Sequence, residues 1–499
     1  MTFDAVILGS GLGGLQCAYI LAKNGKKVCV VEKNGVPGGC LQSFRRGGKE
    51  FDTGFHYVGA LGRGQILEKL FRYFGLMELP WHQLDTDGFD EIVLKGKSYI
   101  LPNGYEGFAD GISRLFPHQE KQIRDYSSFL QDVGSKITDP LIKPGDGFFS
   151  VNKLLSKNAW DFLQNSFRDP CLINVLSGNS LKLELKKETL PLYTFAQINS
   201  SYIQSAWRLK GSGSLIAETL IKGIKSFGGE VYTSTEAVEI VEKNGKIEHI
   251  LVNRKDGERE KIYADTFISN LSPQLTLQLV KESSCIRPVF RHRIEKLEQT
   301  YGFFTVNILL KEGKVPYFNR NFYCYSPDVE TVWDISSLAD QGKIKGVLVS
   351  QQVPQDEGRF ATHLDILAPM SFATVKQWKD TTPATRPQSY KEYKAKMAEE
   401  CIRMACSVIP NLKDSILKTY TSTPLTYQFY TGAIQGTAYG IRKDCNNLIK
   451  TLLAPKTPVP NLFFTGQNLN LHGVLGVSIT SLMTCSEILG REPLVSFLE

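Results

Sequence analysis

The run Gly9-Ser10-Gly11-Leu12-Gly13-Gly14 constrains the fold more than any other stretch of the chain. Phe3-Asp4-Ala5-Val6-Ile7-Leu8 before it is a buried-strand run, and a helical pattern follows it through Ala22. A second apolar run, Val28 to Val31, then ends in Glu32. Strand, glycines, helix, strand and an acid about 20 residues on make the full context of a dinucleotide-binding βαβ unit. Gly9 permits the tight turn, Gly11 lets the backbone approach a pyrophosphate, and Gly14 lets the helix pack on the strand. Gly13 completes the run. The helix start offers unpaired N–H groups to phosphate. Glu32 can accept hydrogen bonds from a ribose 2′-hydroxyl, and its charge argues against a 2′-phosphate.

At 499 residues the chain is too long for one simple core, and length alone suggests roughly three domain-sized masses. Apolar content of 42% and charged content of 22% are ordinary for a globular protein. The net charge of +7 comes from 58 basic and 51 acidic residues without a long basic block. Nucleic acid is therefore a poor partner, and weak attraction to an anionic membrane surface stays open. Ten cysteines lie scattered without a CxxC pair, and a strand-like segment follows Met1 at once. The expectation is a cytoplasmic protein with reduced thiols. Seven histidines form no HxxxH pattern and no cluster with cysteine, so no metal is expected. Leu471 to Gly490 is the longest apolar stretch, but His472, Ser478, Ser481 and Glu487 interrupt it, so it does not read as a membrane span.

A second glycine pair, Gly38-Gly39, leads into CLQSFRRGGKEFDTGFHYVG. Here the sequence resembles the FAD-dependent family of bacterial-type phytoene desaturases, carotenoid isomerases and retinol saturases. That resemblance implies that Gly38 and Gly39 extend the phosphate cradle, with Lys33 beside it. It also implies that Ser43 and Arg45 or Arg46 lie beside FAD, and that the strand ending in Phe51-Asp52-x-Gly54 passes near the flavin. His56-Tyr57 is more similar to the isomerase and saturase branch than to the desaturases.

Gln65 to Phe74 and Leu115 to Val133 have helical apolar spacing. Asp139 to Phe167 mixes prolines and glycines with Phe148-Phe149, Leu154-Leu155, Trp160, Phe162 and Leu163, interleaved with Lys143, Lys153 and Lys157. Two readings stand: an interfacial element touching a membrane through 143–163, or a lid helix whose aromatics face inward. Ser214 to Lys225 is helical, strands follow around Val231 and Ala237 to Val241, and Ala264 to Ser269 is a buried strand. The resemblance implies a return to the flavin domain here, with the backbone near Val238 against the adenine. Between about Cys285 and Thr423 the signals weaken to strands at Phe303 to Leu310 and Gly346 to Val353, an aromatic run at Phe322 to Tyr325, and a helix at Tyr390 to Pro410. Asn461 to Phe464 is a strand delivering TGQNLNLHGVLG to a last helix. The resemblance puts Gly466 and Gln467 by the ribityl chain and phosphates, Gln467 standing where an acid is usual. It puts Gly473, Gly476 and Val477 close to the flavin ring.

The expected architecture is α/β: a Rossmann-type FAD-binding domain of the glutathione-reductase or amine-oxidase kind, interleaved with an α+β substrate domain. The FAD segments are 1–75, 206–280 and 426–499. The substrate segments are 76–205 and 281–425. The resemblance implies a long apolar polyene or isoprenoid substrate and hydride exchange at flavin N5. Saturation would need an electron donor, whose identity the sequence does not reveal, and His56 and His472 are the candidate catalytic residues. A desaturase, an amine- or porphyrinogen-oxidase-like enzyme and a non-catalytic prenyl-lipid carrier are the alternatives. The expected location is cytoplasmic, with peripheral contact at the inner face of a membrane.

Overall fold

The computed structural model describes residues 2–142, 146–354 and 358–498, the side chains of 146–150 excepted. Two seven-stranded sheets organise it. In the first, Thr2–Leu8 lies between the parallel strands Val28–Val31 and Arg259–Ser269. Glu230–Tyr232 extends one edge in parallel. On the other side Arg259–Ser269 plays a double part. Its second half pairs in parallel with Thr2–Leu8 and with Leu462–Phe464, while its first half pairs antiparallel with Lys246–Arg254. Parallel strands covered on both faces need continuous apolar runs. Val6, Ile7, Leu8, Val28, Cys29, Val30, Phe267 and Ile268 are accordingly fully buried.

Helices Leu12–Lys23, Ser214–Ser226 and Gly473–Leu489 are associated with this sheet. Leu12–Lys23 and Gly473–Leu489 pack on each other through side-chain hydrogen bonds: Gln16 Nε2 donates to Ser478 Oγ at 2.8 Å, and Ser481 Oγ to the carbonyl of Gly13 at 3.3 Å. Residues 462 and 468 positions apart in the chain are thereby locked together beside the first glycine loop.

The second sheet runs in the order Ile416–Ser422, Gly302–Leu310, His363–Met370, Gly346–Gln351, Asn321–Tyr325, Asp90–Leu94, Lys97–Leu101. The chain thus leaves the first sheet after Val31, returns for 230–269, leaves again for 302–422, and returns at Leu462. Side chains alternate across the strands. One face carries Phe304, Val306, Ile308, Val347, Val349, Leu364, Ile366 and Ala368 against helix Gln388–Ala405, which contributes Met397, Cys401 and Met404. The opposite face looks into the main core through Phe303, Tyr323, Tyr325, Leu348 and Leu367.

Of the 143–163 stretch, residues 143–145 and the side chains of Phe148 and Phe149 lie outside the described residues. In the remainder Val151, Leu155, Ala159 and Leu163 are buried in the main core. Trp160 packs on Trp333 with ring centroids 5.3 Å apart, and Phe162 on Phe129 at 4.9 Å. Lys153 and Lys157 are exposed. Among the described residues no helix is long and apolar enough to cross a membrane.

Candidate functional site

The carboxyl ends of the parallel strands bring four backbone segments together. Gly9 has φ of +91°, the left-handed region that glycine enters freely. Added to Gly14, a Cβ would collide with the carbonyl oxygen of Gly9. At Gly39 it would come within 3.1 Å of the Gly11 Cα. At Gly11, Gly13 and Gly466 it would meet the side-chain amide of Asn270 at 2.7, 2.7 and 2.6 Å. Asn270 follows directly on Arg259–Ser269 and was invisible to motif reading. Its only signal is its place at the carboxyl end of a strand adjoining the first, where ligands of open α/β sheets bind.

Glu32 is 6% exposed and ties this region together. Its Oε2 accepts the Ser10 N–H (3.1 Å) and hydroxyl (2.7 Å), and its Oε1 accepts the Asn34 N–H (2.8 Å). The Ser10 hydroxyl in turn accepts the Gly38 N–H at 3.0 Å, joining the two glycine loops. Each carboxylate oxygen has two acceptor sites, so room for a sugar hydroxyl remains. Leu12–Lys23 begins at Gly11 with no side-chain cap and no acid in its first turn. Its leading N–H groups are thus left to an anion. A cradle that side chains would fill, an anchored acid and an uncapped helix start fit a dinucleotide of the kind a flavin carries.

The other named positions distribute around this cradle. Lys33 is exposed and reaches toward Gly432. Val238 sits at a bulge in strand Thr235–Lys243, three residues past Thr235, whose N–H bonds the carbonyl of Glu32. Ser43 donates its hydroxyl to Glu50 across the hairpin Ser43–Arg46 and Lys49–Asp52, while Arg45 and Arg46 are exposed near its tip. Gly54 lies against Cys40, just past the Gly38-Gly39 pair. Asp52 accepts the Gly213 N–H at 2.7 Å and the Gln352 amide at 2.8 Å. Gln467 is half-buried beside Gly440. Val477 is buried in Gly473–Leu489.

His472 caps that last helix without a side-chain hydrogen bond to it. Its ring lies on Tyr439, centroids 4.4 Å apart, and its Nε2 donates to the carbonyl of Lys182 at 3.1 Å. Burial pushes its imidazole down to about 4, so the ring is neutral at physiological pH. With Gly473 and Gly476 it lines a cavity shared with Gly59, Lys182 and Tyr202. The cavity holds about 50 Å³, against roughly 300–1,000 Å³ for typical small-ligand pockets. His56 is not among the lining residues. It is half-buried, and burial first, then the Arg208 charge, push it down to about 4. The two histidines are thus neutral, and they sit in different surroundings.

A buried polar row crosses the inward face of the second sheet. Asp90 pairs in register with Asn321, Ser350 with Asp365, and Asp365 with Asn307. Asn321 donates to Asp90 at 2.8 Å, Ser350 to Asn321 at 3.1 Å, and Asn307 to Asp365 at 2.6 Å. Arg208, 2% exposed, donates to Asn321 Oδ1 at 2.6 Å and to Ser350 at 3.2 Å. Tyr57 joins at Asp90, 3.0 Å away, and its hydroxyl meets that of Tyr323 at 2.6 Å. Burial pushes the Asp365 carboxyl up to about 7, opposed by the Asn307 hydrogen bond and the Arg208 charge. Among the described residues no group of three His, Cys, Asp or Glu side chains could hold a metal ion.

Two outcomes follow from this geometry. Glu32→Arg places a cation where a carboxylate anchors Ser10, and flavin bound per chain, read from visible absorbance after desalting, falls at least about tenfold. Asp365 has a folded pKa above its unfolded value, so its contribution to stability is full below about pH 4 and is lost as pH rises through about 7. Asp365→Asn keeps the amide partner and removes this loss. The unfolding free energy of the variant, from urea titration, therefore gains on wild type between about pH 4 and about pH 8, by about 4 kcal/mol at most.

Residues 7–74 match the family model of NAD(P)-binding Rossmann-like domains. All-trans-retinol 13,14-reductase of Rattus norvegicus is 27% identical, the match covering 98% of this chain and 86% of the relative. Prolycopene isomerase of Daucus carota is 22% identical, covering 97% of this chain and 80% of the relative. A putrescine oxidase variant shares the fold, with a TM-score of 0.64 at 13% identity over 98% of this chain and 99% of its own. The chain is an α/β protein with a Rossmann-like dinucleotide-binding domain, and over nearly its whole length it is similar to a retinol 13,14-reductase and a prolycopene isomerase.

Proposed function

We propose that this chain is an FAD-dependent oxidoreductase acting on carbon–carbon double bonds of a long apolar polyene or isoprenoid lipid. The observation that carries the reading is the junction of two features. The glycine cradle around Asn270 includes Gly466, on the segment that leads into the last helix, and the start of that helix forms a wall of a cavity lined by Val58, Leu67, Ile137, Ile198, Val474 and Leu475. Bound in that cradle, FAD would supply hydride exchange at N5. The chain's own part is positional. Glu32, Ser10 and the uncapped start of Leu12–Lys23 hold the nucleotide. The start of Gly473–Leu489, likewise without a cap or a first-turn acid, stabilises negative charge on the ring. Aliphatic walls keep water from the reacting carbons.

Saturation is the favoured direction, supported by the relative named as a retinol 13,14-reductase at 27% identity. Isomerisation is the second reading, supported by the relative named as a prolycopene isomerase at 22%. Saturation calls for an external electron donor and isomerisation does not. An apolar substrate is held in membranes, and contact with an anionic membrane surface through 143–163 is part of the proposal.

Reduced enzyme incubated anaerobically with all-trans-retinol, and separately with a poly-cis carotene, separates the directions. Saturation adds two hydrogens to the product mass, and isomerisation changes retention without changing mass. Recovery of both substrates unaltered, from enzyme that holds its flavin, would remove the proposal. For the membrane contact, the protein floats with phosphatidylserine vesicles at low salt and is released as salt rises; absence from the lipid fraction at low salt counts against it.

A further inference from the structure

The turn Ser180–Lys182 is braced from three distant parts of the chain. Tyr301 donates its hydroxyl to the carbonyls of Leu181 (3.3 Å) and Leu183 (2.9 Å). Tyr439 donates to Leu181 at 2.6 Å. His472 Nε2 donates to the carbonyl between them, that of Lys182, at 3.1 Å. Three successive carbonyls are thus held by ring donors, and the backbone that carries Lys182 is fixed. Its side chain lines the cavity at the start of Gly473–Leu489. The Nζ is buried and has no hydrogen-bond partner among the described residues. It rests 4.6 Å from the centre of the Tyr202 ring and 6.0 Å from that of Tyr323.

An ammonium carries three donors, and leaving them unmade in a buried place is costly. The anion that acts on it is Asp90, whose oxygens are already engaged by Tyr57, Asn179 and Asn321. Such an arrangement is retained where the donor has a task in the cavity.

On the flavin-dependent reading above, we propose that Lys182 is the proton donor of the reaction, its Nζ delivering a proton to one carbon of the substrate double bond. The neighbouring carbon takes a hydride whose two electrons come from reduced flavin. The π bond is lost, two C–H bonds form, the flavin ends oxidised, and Lys182 ends as a neutral amine that solvent reprotonates.

The surroundings suit this task. Burial lowers the ammonium to about 7, against the opposing pull of Asp90, and a general acid works best near the operating pH. Burial pushes the Tyr202 hydroxyl up and the His472 ring down to about 4. Tyr57 and Tyr323, next to Asp90, are pushed well up, as are Tyr301 and Tyr439 on the turn. Glu184, two residues on, is engaged by Arg442 at 2.8 Å. Of the titratable groups lining the cavity, Lys182 is the one that changes charge near neutrality.

The test compares flavin-loaded wild type, Lys182→Met and Lys182→Arg, reduced anaerobically and mixed with retinol at several pH values. Lys182→Met is expected to match wild type in flavin content and spectrum yet to add hydrogen on the order of a hundredfold more slowly. The wild-type rate falls above about pH 7, and Lys182→Arg moves that fall to higher pH. Independently of turnover, ¹³C reductive methylation shows a lysine signal titrating near 7 that Lys182→Met lacks. A Lys182→Met rate within about threefold of wild type, or a Lys182 signal titrating like an exposed lysine, overturns the assignment and leaves the proposed function standing. Wild type that gains no two-hydrogen product overturns both.

Discussion

Backbone must approach backbone, without intervening side chains, where the parallel strands of the first sheet end. Gly11, Gly13 and Gly466 close around one amide, that of Asn270, and Gly39, from a third stretch of the chain, lies against the Gly11 Cα. A methyl group on any of them would strike that amide or a neighbouring Cα. The Glu32 carboxylate holds Ser10, and through it Gly38, so the loops stay in register. Everything else in the molecule hangs from this meeting. The start of the first helix lies against the middle of the last, through Gly13 with Ser481 and Gln16 with Ser478, and the second sheet is carried on segments that leave the first sheet and return to it.

The second sheet answers a different constraint. Its helix-covered face is apolar, and its other face is an alternating polar row turned not to water but into the protein. Asp90, Asp365 and Arg208 are costly to bury, and hydrogen bonds along Asn321, Ser350 and Asn307 offset part of that cost. Such a row adds little net stability. It fixes where Tyr57, Tyr323 and, behind them, Lys182 stand. His56 and His472 are held neutral by burial in the same interior. His472 orients the Lys182 turn through a carbonyl, and His56 lies toward Arg208.

Much of the first sheet was legible because its signals are local. Thr2–Leu8, Val28–Val31 and Leu462–Phe464 are apolar runs bounded by glycine or acid, and the glycine loop needs only neighbouring residues to be recognised. The second sheet was harder to read. Phe303 to Leu310 and the start of Gly346 to Val353 were visible as strands, but the latter ends at Gln351. Polar Thr305, Asn307, Ser350 and Asp365 alternate with apolar neighbours, a pattern that ordinarily means a solvent-facing side. Only the main core packed against them makes that side internal.

The sequence by itself determined that a strand, a tight glycine turn and a helix start would present N–H groups beside an acid, because φ freedom and uncapped amides belong to the residues that carry them. It also carried the alternation that makes two-faced strands. Tertiary structure alone decided that Asn270 would fill the centre of the glycine cluster and that Tyr301, Tyr439 and His472 would converge on one turn. It alone left the Lys182 ammonium without a hydrogen-bond partner among the described residues, beside a cavity. Those are contacts between residues more than a hundred positions apart, and no local propensity encodes a distance in space.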